Sequence, residues 1–139
     1  INKAAYQEKP MPELDIIEFR NKLVKSMRQL LEAKGFINIK TNIENTAMGT
    51  PKTMFGQTPD ITAIDTKNKF YIIQFAMTDV KDDDSIERLK AFGKYAKLHS
   101  SIFWLIIKKE AQPNIERRIR KLDLVDHVIL KPLPSMSAL

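Results

Sequence analysis

Thr58-Pro59-Asp60-Ile61-Thr62-Ala63-Ile64-Asp65 and Phe70-Tyr71-Ile72-Ile73-Gln74-Phe75-Ala76-Met77 are two β-rich runs near the middle of the chain. The polar segment Thr66-Lys67-Asn68-Lys69 between them reads as a hairpin turn, so the pair predicts two antiparallel strands. Two residues stand out. Asp60 is acidic at the start of the first strand, and Gln74 is an amide inside an otherwise apolar second strand. An amide placed in a core finds hydrogen-bond partners or costs about 1–3 kcal/mol. Gln74 is therefore either a satisfied structural residue or part of a site. Strand alternation puts Gln74 and Ala76 on one face, with Tyr71, Ile73 and Phe75 on the other. Antiparallel pairing brings the start of the first strand beside the end of the second, which lets Asp60 approach Gln74. Two strands arranged in this way can present oxygen ligands to one hard cation such as Mg²⁺.

Upstream of the hairpin, Ile16, Ile17, Leu23, Val24, Met27, Leu30 and Leu31 recur at helical spacing between Glu13 and Lys34. Arg20, Lys22, Lys25 and Arg28 are interspersed, and Gly35 supplies the stop. Phe36–Ile43 alternates as a strand, and 44–57 is a loop made less polar by Met48, Met54 and Phe55. Downstream, Asp82-Asp83-Asp84 suits a helix N-terminus by capping and dipole logic, and a helix is expected from about Ser85 to Leu98. Ser101–Ile107 reads as a central strand buried on both faces and containing Trp104. Gln112–Leu122 reads as a short basic helix and Asp126–Leu130 as a last strand, stopped by Pro132 and Pro134. His99 is expected to help end its helix and His127 to begin the last strand. The order α-β-β-β-α-β-α-β predicts an α/β domain, with a mixed central sheet and helices on both faces.

With 139 residues, 43% of them hydrophobic, the chain suits one domain with a real core over residues 13–131. Residues 1–12 read as a linker or ragged N-terminus and 132–139 as a flexible tail; a start at Ile fits a fragment or processed chain. No apolar run approaches the roughly 20 residues of a membrane span, so an intracellular, cytoplasmic protein is expected. Zero cysteines exclude disulfides and thiolate metal sites, and two distant histidines give no zinc site. The net charge of +6 favours a polyanionic partner, because Lys and Arg release counterions condensed on phosphates.

Asp60 after Pro59, then Gln74-Phe75-Ala76 in an apolar strand, within this element order, resembles the PD-(D/E)XK nuclease superfamily over roughly residues 14 to 131. That superfamily has the restriction-endonuclease-like fold and includes Holliday-junction resolvases. The resemblance implies that Asp60 is the metal-binding Asp, that Gln74 stands where the second carboxylate belongs, and that Ala76 stands where the Lys belongs. Asp60, Gln74 and Ala76 are thus the catalytic positions, with Asp60 and Gln74 as ligands of Mg²⁺ or Mn²⁺. Glutamine keeps a carbonyl oxygen without the charge, and alanine supplies neither charge nor proton transfer. The acid that many members carry on the first helix would fall near Val24, which is apolar. Glu18 lies on the opposite side by helical phase, and Glu13 is several turns away. Asp65 and Asp79 do not fit the motif.

The expectation is a nucleic-acid-binding domain, DNA being the expected partner, whose nuclease chemistry was lost by natural decay or deliberate replacement, so that no metal need be bound. Homodimerisation follows from the resemblance alone. Two alternatives stand beside it. One is an active endonuclease whose catalytic cation is displaced to Lys52, Lys69 or Lys81. The other is a protein-interaction module using Trp104 and the Met-bearing loop. Candidate phosphate contacts are Lys52, Lys69, Lys81, Arg117, Arg118, Arg120 and Lys121. The last four cover more than one helix face, so they cannot all touch one backbone.

Overall fold

A computed structural model of the chain describes residues 13–43, 49–77 and 83–133. The segments read as linker (1–12) and most of the tail, together with Met48, Asp79, Lys81 and Asp82, lie outside the described residues. Helix α1 spans Glu13–Ala33, followed by strands β1 (Ile37–Thr41), β2 (Ile61–Ile64) and β3 (Phe70–Phe75). Helix α2 (Asp83–His99), strand β4 (Ile102–Ile107), a 3₁₀ turn (Lys109–Ala111), helix α3 (Gln112–Lys121) and strand β5 (Ile129–Pro132) complete the order. The fold is α/β, with a five-stranded mixed sheet in the order β1-β2-β3-β4-β5.

Local chemistry explains the elements that place the site. Leu23, Val24 and Leu31 are fully buried, which gives α1 its core-facing stripe. Gly35, with φ +89°, ends the helix: Phe36 N–H donates to the Leu31 carbonyl and Gly35 N–H to the Glu32 carbonyl, both at 3.0 Å. That left-handed stop is one glycine adopts without a Cβ penalty. The β2–β3 hairpin closes where Asp65 Oδ1 accepts the N–H groups of Lys67 and Lys69, each at 2.9 Å. Its antiparallel register pairs Ile61 with Ile73 and Ile64 with Phe70. β4 joins β3 in parallel, and β5 joins β4 in parallel, each after a helical crossover.

The sheet separates two apolar layers. α1 packs Leu23, Val24 and Leu31 against Ile39, Ile61, Ala63, Ile73 and Phe75. On the other face, α2 and α3 pack Leu89, Phe92, Ala96, Ile115 and Ile119 against Ile72, Phe103, Leu105 and Ile107. Each fully buried side chain of this size contributes roughly 1.5–3 kcal/mol. α2 comes so close to the segment after α3 that a Cβ on Gly93 would sit 2.8 Å from Leu124 Cδ1.

Several boundaries differ from the sequence reading. α2 starts at Asp83, with Asp83 and Asp84 in its first turn, and His99 lies in its last turn, its ring centroid 4.1 Å from that of Tyr95. β4 is not buried on both faces throughout: Ile102 and Trp104 are half-buried, and Lys131 Nζ lies 4.7 Å from the Trp104 ring centroid. The last strand is Ile129–Pro132, not Asp126–Leu130. His127 lies in a turn, its N–H donating to the Leu124 carbonyl at 2.9 Å. Pro132 is the strand's final residue and does not stop it from outside, because an edge strand tolerates a missing donor. Among the described residues, no helix is long and apolar enough to cross a membrane.

Candidate functional site

The end of β3, the approach to β2, the first half of α1 and the first turns of α2 enclose a cleft of about 590 Å³. Its lining includes Arg20, Asn42, Asp60, Gln74, Ala76 and Arg88. Asp60 and Gln74, far apart in sequence, meet here through the hairpin register. The Asp60 backbone N–H donates to Gln74 Oε1 at 2.9 Å. The carbonyl oxygen of the buried Gln74 amide is thus directed at a backbone donor. Ala76 lines the same cleft, and its own N–H donates to the Ile106 carbonyl at 2.9 Å.

Asp60 is 2% exposed, and both of its carboxylate oxygens are engaged. Oδ2 accepts the Phe75 N–H at 2.9 Å, and Oδ1 pairs with Arg20 Nη1. The other arm of the guanidinium, Nη2, donates to the Asn42 carbonyl at 3.0 Å and to Asn21 Oδ1 at 3.1 Å. Asn42 is itself fixed, its N–H donating to the Asp60 carbonyl at 2.8 Å. Burial pushes the Asp60 carboxyl above the usual carboxylate range, while the Phe75 N–H, Arg20 and, last, Arg88 pull it down. With a donor on each oxygen, the ionised form is the one the geometry holds. Arg88 completes the wall: Nη1 donates to the Thr58 carbonyl at 3.2 Å, and Nε pairs with Asp84 Oδ2 at 3.3 Å.

The donor set does not suit a hard divalent cation. Such an ion takes six or more oxygens or waters and usually more than one carboxylate. Here two carboxylates line the cleft: Asp60 is held by a guanidinium and a backbone N–H, Asp84 pairs with Arg88, and the neighbouring amide oxygen accepts the Asp60 N–H. Among the described residues, no group of three or more His, Cys, Asp or Glu could hold a metal ion. Val24, where the first-helix acid would fall, is fully buried, and Glu18 is exposed.

The proposed phosphate contacts do not gather here. Lys69 lies in the hairpin turn, at the far end of β2 from Asp60, roughly 16 Å away along an extended strand. Lys69 is not among the residues that line the cleft. Lys52 is exposed, its Nζ 6.0 Å from the Tyr95 ring centroid. Arg117, Arg120 and Lys121 are exposed on α3 and Arg118 is half-buried there; none of the four lines the cleft, and Arg117 bonds Asn114.

Sequence reasoning missed Arg20, Asn42 and Arg88. For Arg20 a signal existed. It lies four residues after Ile16 and four before Val24, inside the apolar stripe of α1, where a cation calls for a buried partner. Comparison with protein-family models, with curated proteins and with solved structures returns no match to this chain.

Proposed function

We propose that this chain is a nucleic-acid-binding domain of the restriction-endonuclease-like fold, in which the cleavage centre no longer performs chemistry. The observation that carries the reading is the meeting of Asp60, Gln74 and Ala76 at one cleft, at the end of a strand that begins the parallel half of the sheet. That arrangement supports the nuclease ancestry, while the groups themselves argue against hydrolysis. Cleaving a phosphodiester requires an activated water and stabilisation of developing negative charge. Gln74 and Ala76 offer no base, and the Asp60 carboxylate is engaged on both oxygens. What remains is a basic domain, +6 overall, with exposed cations on α3 and around the loops.

The test is duplex DNA binding titrated against salt, with a parallel assay for nicking in Mg²⁺ or Mn²⁺. The expected result is binding that weakens linearly in log[salt], with a slope near −0.9 per phosphate contact, and no nicking. Absence of DNA affinity at low salt would refute the reading. Divalent-dependent nicking lost in Asp60→Ala would instead establish an active enzyme.

A further inference from the structure

We infer that Arg20 holds, as part of the protein, the Asp60 oxygen that a divalent cation would need, so that a metal site cannot be rebuilt at Gln74 alone. The comparison with a metal site rests on the nuclease-like reading above; the exclusion of metal rests on the geometry. The guanidinium reaches the Asp60 carboxylate with one arm and the Asn42 carbonyl with the other, joining the end of β1 to the start of β2. Its side chain is 23% exposed against 3% for Asp60, so the charge sits at the mouth of the cleft, over the buried carboxylate.

Charge accounting supports the assignment. One buried carboxylate is matched by one contacting guanidinium, and Arg88 adds a second positive charge on the cleft wall that also acts on Asp60. A dication entering here would meet two carboxylates, Asp60 and Asp84, each already paired with its own guanidinium, Arg20 and Arg88. Gln74→Glu would raise the carboxylates to three against two guanidiniums, but it leaves Arg20 on the Asp60 oxygen that the ion would need. The position opposite Asp60 stays filled, and like charges repel an incoming cation. Removing Arg20 is therefore the necessary first step, and adding the acid the second.

The experiment measures Mn²⁺ binding by the loss of the free-ion electron paramagnetic resonance signal, together with the thermal shift on adding Mn²⁺. Five proteins are compared: the parent, Gln74→Glu, Arg20→Ala/Gln74→Glu, Arg20→Lys/Gln74→Glu and Arg20→Ala/Gln74→Glu/Asp60→Asn. The parent and Gln74→Glu should leave Mn²⁺ free and their melting temperatures unchanged. Arg20→Ala/Gln74→Glu should bind at least about tenfold more tightly than Gln74→Glu and be stabilised by the ion. Asp60→Asn in that background should abolish the gain. The Lys variant keeps a positive charge at the same position and serves if the Ala variant does not fold: it should exclude Mn²⁺ as the parent does. Mn²⁺ binding by Gln74→Glu alone, or by the parent, would overturn the inference, and so would binding by the Lys variant equal to that of the Ala variant. DNA binding by the parent is read separately. Its failure would remove the nucleic-acid reading and leave the place of Arg20 standing, and failure of the Mn²⁺ series would do the reverse.

Discussion

Replacing Arg20 with Met should be among the costliest single changes outside the apolar core. The substitution keeps an unbranched apolar stem of similar length beside Ile16 and Val24, its i±4 neighbours on α1, so the lost interaction is chiefly the charge. Asp60, 2% exposed, is then left with the Phe75 N–H on Oδ2 and no direct partner on Oδ1. Breaking a buried pair by removing one partner costs about 3–5 kcal/mol, whereas an exposed pair is worth about 0–1 kcal/mol. Arg20 retains 23% exposure, so water can partly replace it, and a cost of about 2–3 kcal/mol is expected. For a chain of this size that corresponds to a fall in Tm of roughly 6–9 °C. Chemical denaturation of the parent, Arg20→Met, Asp60→Asn and the double variant forms a cycle that isolates the pair. The double variant should be markedly more stable than Arg20→Met, because the uncompensated buried charge is gone.

Acid should narrow the deficit. Without Arg20 the Asp60 carboxyl loses a group that pulls its pKa down, so its folded-state value rises further above the ordinary 3.8. A carboxyl with a raised folded pKa contributes stability below the unfolded value that is lost as pH rises through the folded one. The gap between Arg20→Met and the parent should therefore be widest at neutral pH and shrink towards pH 3.8. A cost below about 0.5 kcal/mol, the scale of a surface pair, or a gap independent of pH, would refute the reasoning.

Three further outcomes are expected. Gln74→Leu removes the acceptor of the buried Asp60 N–H and should cost about 1–3 kcal/mol in urea unfolding; an unchanged midpoint would show that the amide is not needed there. Thr41 is 2% exposed and its Oγ1 has no hydrogen-bond partner among the described residues, so Thr41→Val should be neutral or raise stability by about 1 kcal/mol at unchanged m-value, and a clear loss would point to a partner for that hydroxyl. The Lys69 N–H is the first cause holding the Asp65 carboxyl below its ordinary range, with the Lys67 N–H adding to it. Its contribution is thus present above pH 3.8 and lost as pH falls through the depressed folded value. Denaturation midpoints of Asp65→Asn and the parent should differ at neutral pH and converge in acid; parallel curves would sink the assignment.

Much of the fold was legible because its signals are local. The 3.6-residue stripe from Ile16 to Leu31 and the stop at Gly35 delimit α1 without reference to anything distant. Alternation and the polar turn between Asp65 and Lys69 define the hairpin, and antiparallel pairing then requires Asp60 to approach Gln74, as it does. The last strand was misplaced because its positions depend on partners. Ile129–Pro132 is a strand by pairing with β4, and neither its alternation nor its proline announces that. The half-exposed Trp104 was likewise unreadable, since an apolar run does not say which part of a sheet face a helix will cover.

By itself, then, the sequence determined the α/β class, the order of elements and the meeting of an acid with an amide, through rules that act over a few residues or across one turn. What that meeting can do was decided by tertiary packing. Arg20 reaches Asp60 across 40 positions, and Arg88 reaches Thr58 across 30, only because α1 and α2 seat on opposite faces of one sheet. That seating is set by the fit of Leu23, Val24 and Leu31 on one side and Leu89 and Phe92 on the other. Only that fit brings a guanidinium to the carboxylate, and with it the reason the hairpin's acid is not free to hold a metal.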